Sequence, residues 1–188
     1  MNIEEKIQFY RKNGFPEIWV SDLGNGYYKN PIIHTDYSDP DVICVDNEYY
    51  MTASSFNNVP GLPILHSKDL VNWTIISYAI KELPFEKYNI PQYGKGVWAP
   101  SIRFHNGYFY IYIGFPDEGV FVTRTKDISG QWEPLKCIRK SKGFIDPCPI
   151  WDNDGQGYLV FAFANSRIGF KSVLALSKLS YDGLTLDN

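Results

Sequence analysis

Two aspartates in this sequence stand directly before prolines, at Asp39–Pro40 and Asp146–Pro147, and an alanine takes the matching place at Ala99–Pro100. A single Asp-Pro pair is an ordinary turn signal. Here the pair recurs at equivalent points of a longer pattern. Each copy continues into a short apolar strand, a turn rich in Asn, Asp or Gly, and an aromatic strand: SDPDVICVDNEYYMTASSF, APSIRFHNGYFYIYIGF and DPCPIWDNDGQGYLVFAFAN. Two carboxylates delivered to one place by such a repeat suit glycoside hydrolysis, which places a pair of acidic groups around the scissile bond. Like charges held close also push their pKa values apart, which separates an acid from a base. Proline restricts its own φ and biases the preceding residue toward extended backbone, so each aspartate is predicted to be held extended and in one direction.

The elements that must position these aspartates follow from the same repeat. The starting points lie 60 and 47 residues apart, a spacing typical of propeller blades or stacked units. A third strand follows each copy, at 65–74, 122–132 and 174–183, and TIISYAI at 74–80 reads as a fourth. Trp73 and Trp132 are matched, and Gly107, Gly119 and Gly130 read as turns. The stretch FNNVPGLPIL at 56–65 reads as a loop, and KELPFEKYNIPQYGKGV at 81–97 as a longer one, of a length often functional. Short strands with regular turn signals and almost no helix predict an all-β fold, a β-propeller of which the chain supplies about three four-stranded blades, over 39–80, 99–139 and 146–188. In a propeller the innermost strand of each blade lines the central channel, so Asp39, Ala99 and Asp146 would begin inner strands. Ahead of the blades, residues 1–30 are predicted to hold an amphipathic helix over 2–13, carried by Ile3, Ile7 and Tyr10 and stopped by Gly14 and Pro16, then a turn and lead-in strand at 24–31. The whole of 1–188 is read as a single, incomplete propeller domain.

Composition narrows the chemistry. The chain is 44% hydrophobic and 16% aromatic, enough to build a core, and its net charge of −3 comes without any cluster of Lys and Arg. Nucleic acid is therefore excluded as a partner, and a neutral or weakly anionic substrate fits. No run reaches the length of a membrane span and the N-terminus lacks a signal-peptide core, so a cytoplasmic protein is expected, or a secreted one if a leader has been removed. Cys44, Cys137 and Cys148 have no metal-ligand spacing and are predicted to be buried free thiols. The run DNDGQG at 152–157 lacks the spaced ligands and distal Glu of a calcium loop and is read as a hairpin turn. His66 is read as a structural histidine. No metal site, phosphate loop or Ser–His–Asp arrangement is expected, and no cofactor.

Taken together and in order, SDPDVICVDNEYYMTASSFNNVPGLPILHSKDLVNW, GKGVWAPSIRFHNGYFYIY and KGFIDPCPIWDNDGQGYLVFAFANSR resemble glycoside hydrolase family 43, over roughly residues 19–188. The resemblance implies a five-bladed β-propeller, β-xylosidase or α-L-arabinofuranosidase activity, and a xylo- or arabino-oligosaccharide as partner. It implies an inverting mechanism with three acidic residues. Asp39 matches the general base; Asp41, its neighbour, lacks the following proline. Asp146 matches the residue that holds the base in position and raises the pKa of the acid. Trp98 matches an aromatic that lines the sugar pocket, and Phe56 and Ile145 lie beside pocket-forming positions. The family's general acid is a Glu before a Gly-Pro pair that opens the fourth blade. All eight glutamates of this chain, from Glu4 to Glu133, precede the third repeat. The resemblance thus puts the acid beyond Asn188, and the chain is expected to be the front part of the catalytic domain, with open blade edges that invite self-association.

Two other readings compete. A related invertase-like propeller group uses an Asp nucleophile in an NDPNG-like motif, and here the motif is SDPDV. A non-catalytic sugar- or protein-binding propeller would also lack the acid.

Overall fold

The computed structural model describes residues 3–13, 20–170 and 173–187. It consists of antiparallel sheets, as the alternating repeats dictate. Strands β1 (Asp41–Val45), β2 (Glu48–Thr52), β3 (Gly61–Ser67) and β4 (Thr74–Ile80) form the first sheet in that order. The second is β5 (Trp98–His105), β6 (Tyr108–Phe115), β7 (Gly119–Thr125) and β8 (Lys136–Lys140), again in chain order. The third joins β9 (Phe144–Trp151), β10 (Gly157–Phe163) and β11 (Ala175–Lys178). Each sheet is one blade. The third has three strands among the described residues where four were expected. Two-residue turns with positive φ at both positions, Asp46–Asn47 and Asn106–Gly107, close the first hairpin of blades 1 and 2, matching the strand twist as such turns do.

Strand β6 explains how the blades stack. Its side chains alternate, with Phe109, Ile111, Ile113 and Phe115 facing blade 1 and Tyr110 and Tyr112 facing blade 3. The first set packs with Leu62, Ile64 and Ile80; the second packs with Phe144, Leu159 and Phe161. A strand buried on both faces reads as a continuous apolar run, which is what YFYIYIGF is. The two apolar layers bring inner strand β5 between β1 and β9, so the three inner strands lie side by side.

Four further expectations are corrected. The loop read over 56–65 ends early, because β3 begins at Gly61. Strand β3 pairs with β2 only from Leu65 onward, so Pro63 sits where the strand has a ladder on one side, a place that tolerates proline. The lead-in strand at 24–31 reduces to one bridge, Asp22 with Tyr28, since no neighbouring strand extends the pairing. The cysteines are free but not buried: Cys44 and Cys148 are exposed and Cys137 is half-buried. Both exposed thiols follow strand alternation, Cys44 beside the exposed Val42 and Cys148 beside the exposed Ile150, with the Cys148 sulfur met at one side by Arg103 of blade 2. Extended backbone before the prolines, the fourth correction, concerns the site below. The helix is present as α1 (Ile3–Lys12), with Glu4 and Glu5 in its first turn; Gly14 and Pro16, read as its stop, lie outside the described residues. Among the described residues no helix is long and apolar enough to cross a membrane.

Candidate active site

The three matched positions share an unusual backbone. Asp39, Ala99 and Asp146 have φ of 51°, 33° and 53°. They are not extended. Proline disfavours the right-handed helical region of the preceding residue but leaves the left-handed region open, and Asp tolerates that region better than most side chains. Such backbone costs about 1–3 kcal/mol per residue and clusters at functional sites. Its recurrence at all three inner strands marks one end of the stack.

Asp39 is open to solvent and oriented by two hydroxyls. Ser54 Oγ donates to its Oδ2 at 2.7 Å and Ser38 Oγ donates to the same oxygen at 2.9 Å. Ser54 is buried, and its own oxygen accepts the Ala99 N–H at 2.8 Å. A relay therefore runs from the start of β5 in blade 2, through Ser54 in blade 1, to the carboxylate. The other oxygen, Oδ1, carries no protein hydrogen bond among the described contacts and is the one free to meet a water. Ser54 lies fifteen residues from Asp39, in the run ASS after β2, and its role had no local signal.

Asp41, the neighbouring acid, is spoken for. Its Oδ2 accepts the Ile102 N–H at 2.8 Å, the Ser101 hydroxyl at 3.1 Å and Arg103 Nη1 at 2.5 Å. Arg103 Nη2 reaches on to Cys148 Sγ at 3.1 Å. One guanidinium thus ties together β1, β5 and β9. One carboxylate is exposed and held by two hydroxyls; the other is bound to Arg103 and to two donors at Ser101 and Ile102.

Asp146 sits on β9 with one side open and the other walled by protein. That crowding raises its carboxyl above the ordinary range, and the negative charge of Asp39 raises it further. The two aspartates therefore feel each other, as two carboxylates near one channel must. For a carboxyl whose folded-state pKa is raised, the favourable contribution exists below the unfolded pKa and is lost as pH rises through the folded one. At neutral pH Asp146 is a stability cost. Asp146→Asn is expected to raise the melting temperature at pH 7, with the gain shrinking as pH falls through the raised folded-state pKa and gone below about pH 4, where the unfolded-state carboxyl also protonates. Melting curves across that range test it; an equal gain at every pH would disprove the charge origin.

Trp98, Phe56 and Ile145 border these groups. Phe56 pairs through both backbone groups with Val97, at 3.0 and 2.9 Å, and so lies against the strand entrance that carries Trp98. Gly96 is required there: a Cβ on it would fall 2.2 Å from the Phe56 carbonyl oxygen. Trp98 is half-buried, and the Arg167 guanidinium lies over its ring at 5.0 Å while Arg167 Nε pairs with Asp117 at 3.1 Å. Arg167, in the short helix α2 (Asn165–Ile168), and Asp117 were not anticipated. Ile145 is half-buried and precedes Asp146. His66 is not in this group: its Nε2 meets the Glu48 carboxylate on the β2–β3 pair, as befits a structural histidine. The 152–157 run is a hairpin loop closed by Asp152 N–H to Gln156 O at 3.1 Å. No group of three or more His, Cys, Asp and Glu among the described residues is arranged to hold a metal ion.

Antiparallel blades stacked face to face, with their inner strands side by side, define a β-propeller. The family described as Glycosyl hydrolases family 43 matches residues 28–188, and the chain belongs to that family. A putative beta-xylosidase of Xylanibacter ruminicola is 39% identical over 171 residues, which are 88% of this chain and 30% of the relative. A non-reducing end alpha-L-arabinofuranosidase of Bacteroides ovatus is 35% identical over 154 residues, 76% of this chain and 28% of the relative. Among solved structures, a xylan beta-1,4-xylosidase from Bacillus halodurans superposes with a TM-score of 0.73 at 27% identity, over 85% of this chain and 32% of the other. The family's structures are five-bladed propellers, of which these residues form part. The chain spans about 30% of the length of the curated relatives it matches.

Proposed function

We propose that this chain carries the base side of an inverting glycoside hydrolase acting on xylose- or arabinose-containing saccharides of hemicellulose. The observation that supports it most is the pairing of an exposed, doubly oriented Asp39 with an Asp146 whose carboxyl is raised in part by the Asp39 charge. In this reading the free oxygen of Asp39 takes a proton from a water as that water attacks the anomeric carbon. Asp146, a fixed negative charge, holds the base and keeps the general acid protonated by like-charge repulsion. Trp98 offers a ring face to the sugar, with Phe56 and Ile145 as apolar walls. The acid is assigned to a glutamate outside these 188 residues, set about 6.5–9.5 Å from Asp39 so that a water fits between. The relatives' names, xylosidases and an arabinofuranosidase, support the substrate class.

The test is stereochemical. The full-length gene product is given an aryl β-xyloside and the first-formed xylose is followed by proton NMR before mutarotation. The α-anomer is expected; release of the β-anomer would overturn the inverting assignment and with it the role of Asp39.

A further inference from the structure

From the end of β7 to its following tryptophan, Thr125 to Trp132, the chain has one residue more than from Ser67 to Trp73 in blade 1. In blade 1, Trp73 Nε1 donates to the Leu70 carbonyl at 2.9 Å, three residues back. In blade 2 the matching Trp132 follows Ile128 by four residues. The Ile128 carbonyl is taken instead by the Ser77 hydroxyl of β4, at 2.7 Å. Trp132 is 7% exposed, and its indole N–H has no hydrogen-bond partner among the described residues. Buried donors without an acceptor are rare in folded proteins, and the indoles of Trp98 and Trp151 share this condition.

Trp132 also lines a cavity of about 330 Å³ between the end of β4 and this turn, a size suited to a small ligand. Tyr78, 38% exposed, supplies a second ring. The charges around it cancel. Lys81 and Glu82 are adjacent and opposite, and Glu133 is held by Arg124 Nε at 3.1 Å. An anion would find no unopposed cation here. A purely apolar ligand would strand Lys81, Glu82 and the Gln131 amide. A flat, neutral ring bearing hydroxyls satisfies all of them, with its C–H face on Tyr78 and its hydroxyls on the polar groups.

We propose that this cleft, on the outer strands of blades 1 and 2 and away from the inner-strand carboxylates, is a second saccharide-binding site that holds a pentose unit of a hemicellulose chain. The proposal rests on the glycosidase reading only for the choice of pentose. The experiment titrates the isotopically labelled chain with xylohexaose and follows the tryptophan indole resonances by NMR. The Trp132 indole signal and the amides of 130–135 are expected to move in a saturable way. Tyr78→Ala, an exposed substitution, should weaken that apparent affinity about tenfold, the order expected for a lost stacking contact. Trp98→Ala should leave it unchanged. A Trp132 signal that stays still at saturating xylohexaose overturns the proposal, as does a titration indifferent to Tyr78→Ala or one driven equally by inorganic phosphate. The Trp98 indole separates the two ideas. If Trp132 moves and Trp98 does not, the rim site stands and the inner-strand sugar site loses support; the opposite pattern removes the rim site alone.

Discussion

Asp39→Asn in the full-length gene product is expected to lower kcat/KM on an aryl xyloside by about 10²–10⁴-fold, the usual worth of a general base. Asn keeps the shape of Asp and still accepts hydrogen bonds through its amide oxygen, so the Ser38 and Ser54 hydroxyls retain a partner. What it loses is the ability to take a proton from water. The neighbouring substitution is the control. Asp41→Asn removes the charge that faces Arg103 across the inner strands, at a site where both side chains are less than a third exposed. A hydrogen bond to a charged group is worth about 1.5–3 kcal/mol, so stability is expected to fall by about that much. Urea unfolding measures it. If the two results were exchanged, with Asp39→Asn leaving turnover within a few fold and Asp41→Asn abolishing it in a folded protein, the base would have to be reassigned.

Xylobiose should be almost inert to the 188-residue chain on its own, with a rate on the order of 10²–10⁴-fold below that of the full-length gene product. Without a general acid the leaving sugar departs as an alkoxide, which is slow. p-Nitrophenyl xyloside needs less protonation, and weak turnover of it is expected. The glutamates in hand are poor replacements. Glu118 pairs with Lys87 and Glu133 with Arg124. Glu48 is hydrogen-bonded by His66 and then Lys68, which lowers its pKa, the reverse of what an acid requires. The same preparation should associate with itself, because Ile150 and Leu176, 58% and 62% exposed, share an uncovered face of blade 3. Light scattering reads this, and assays of both chains on both substrates read the chemistry. Robust xylobiose cleavage by the short chain would return the search for the acid to its own glutamates.

The blades were legible in the sequence because everything that makes a blade is local. A β-branched strand, a two-residue turn and an aromatic return lie within about twenty residues of one another, and β4 fell on its predicted bounds. The matched placement of Asp39 and Asp146 at inner strands was legible because the proline after each repeats. Their backbone was not: the proline rule favours extended geometry, and the folded blades hold these residues at positive φ instead. The partners of the site were not legible either. Ser54 with Ala99, Asp41 with Arg103 and Arg167 with Asp117 join residues 45 to 62 positions apart, across blade boundaries. Only the fold brings such pairs together. The exposed thiols were misread for a related reason: a strand pattern says which residues share a face, and not whether another blade covers it.

Strand β6, buried on both faces, has a consequence for how stability scales with blade number. Three blades in an open row share two apolar layers, one on each side of β6. Each further blade adds one layer, so a row always has one fewer layer than blades. Closing a ring adds a layer without adding a blade, and a closed five-bladed ring has five. The open row therefore has two layers for three blades, and the closed ring has one for each. Since a repeat array is stabilised chiefly by its nearest-neighbour interfaces, the step that joins the last blade to the first contributes a whole interface at no further cost in chain ordering.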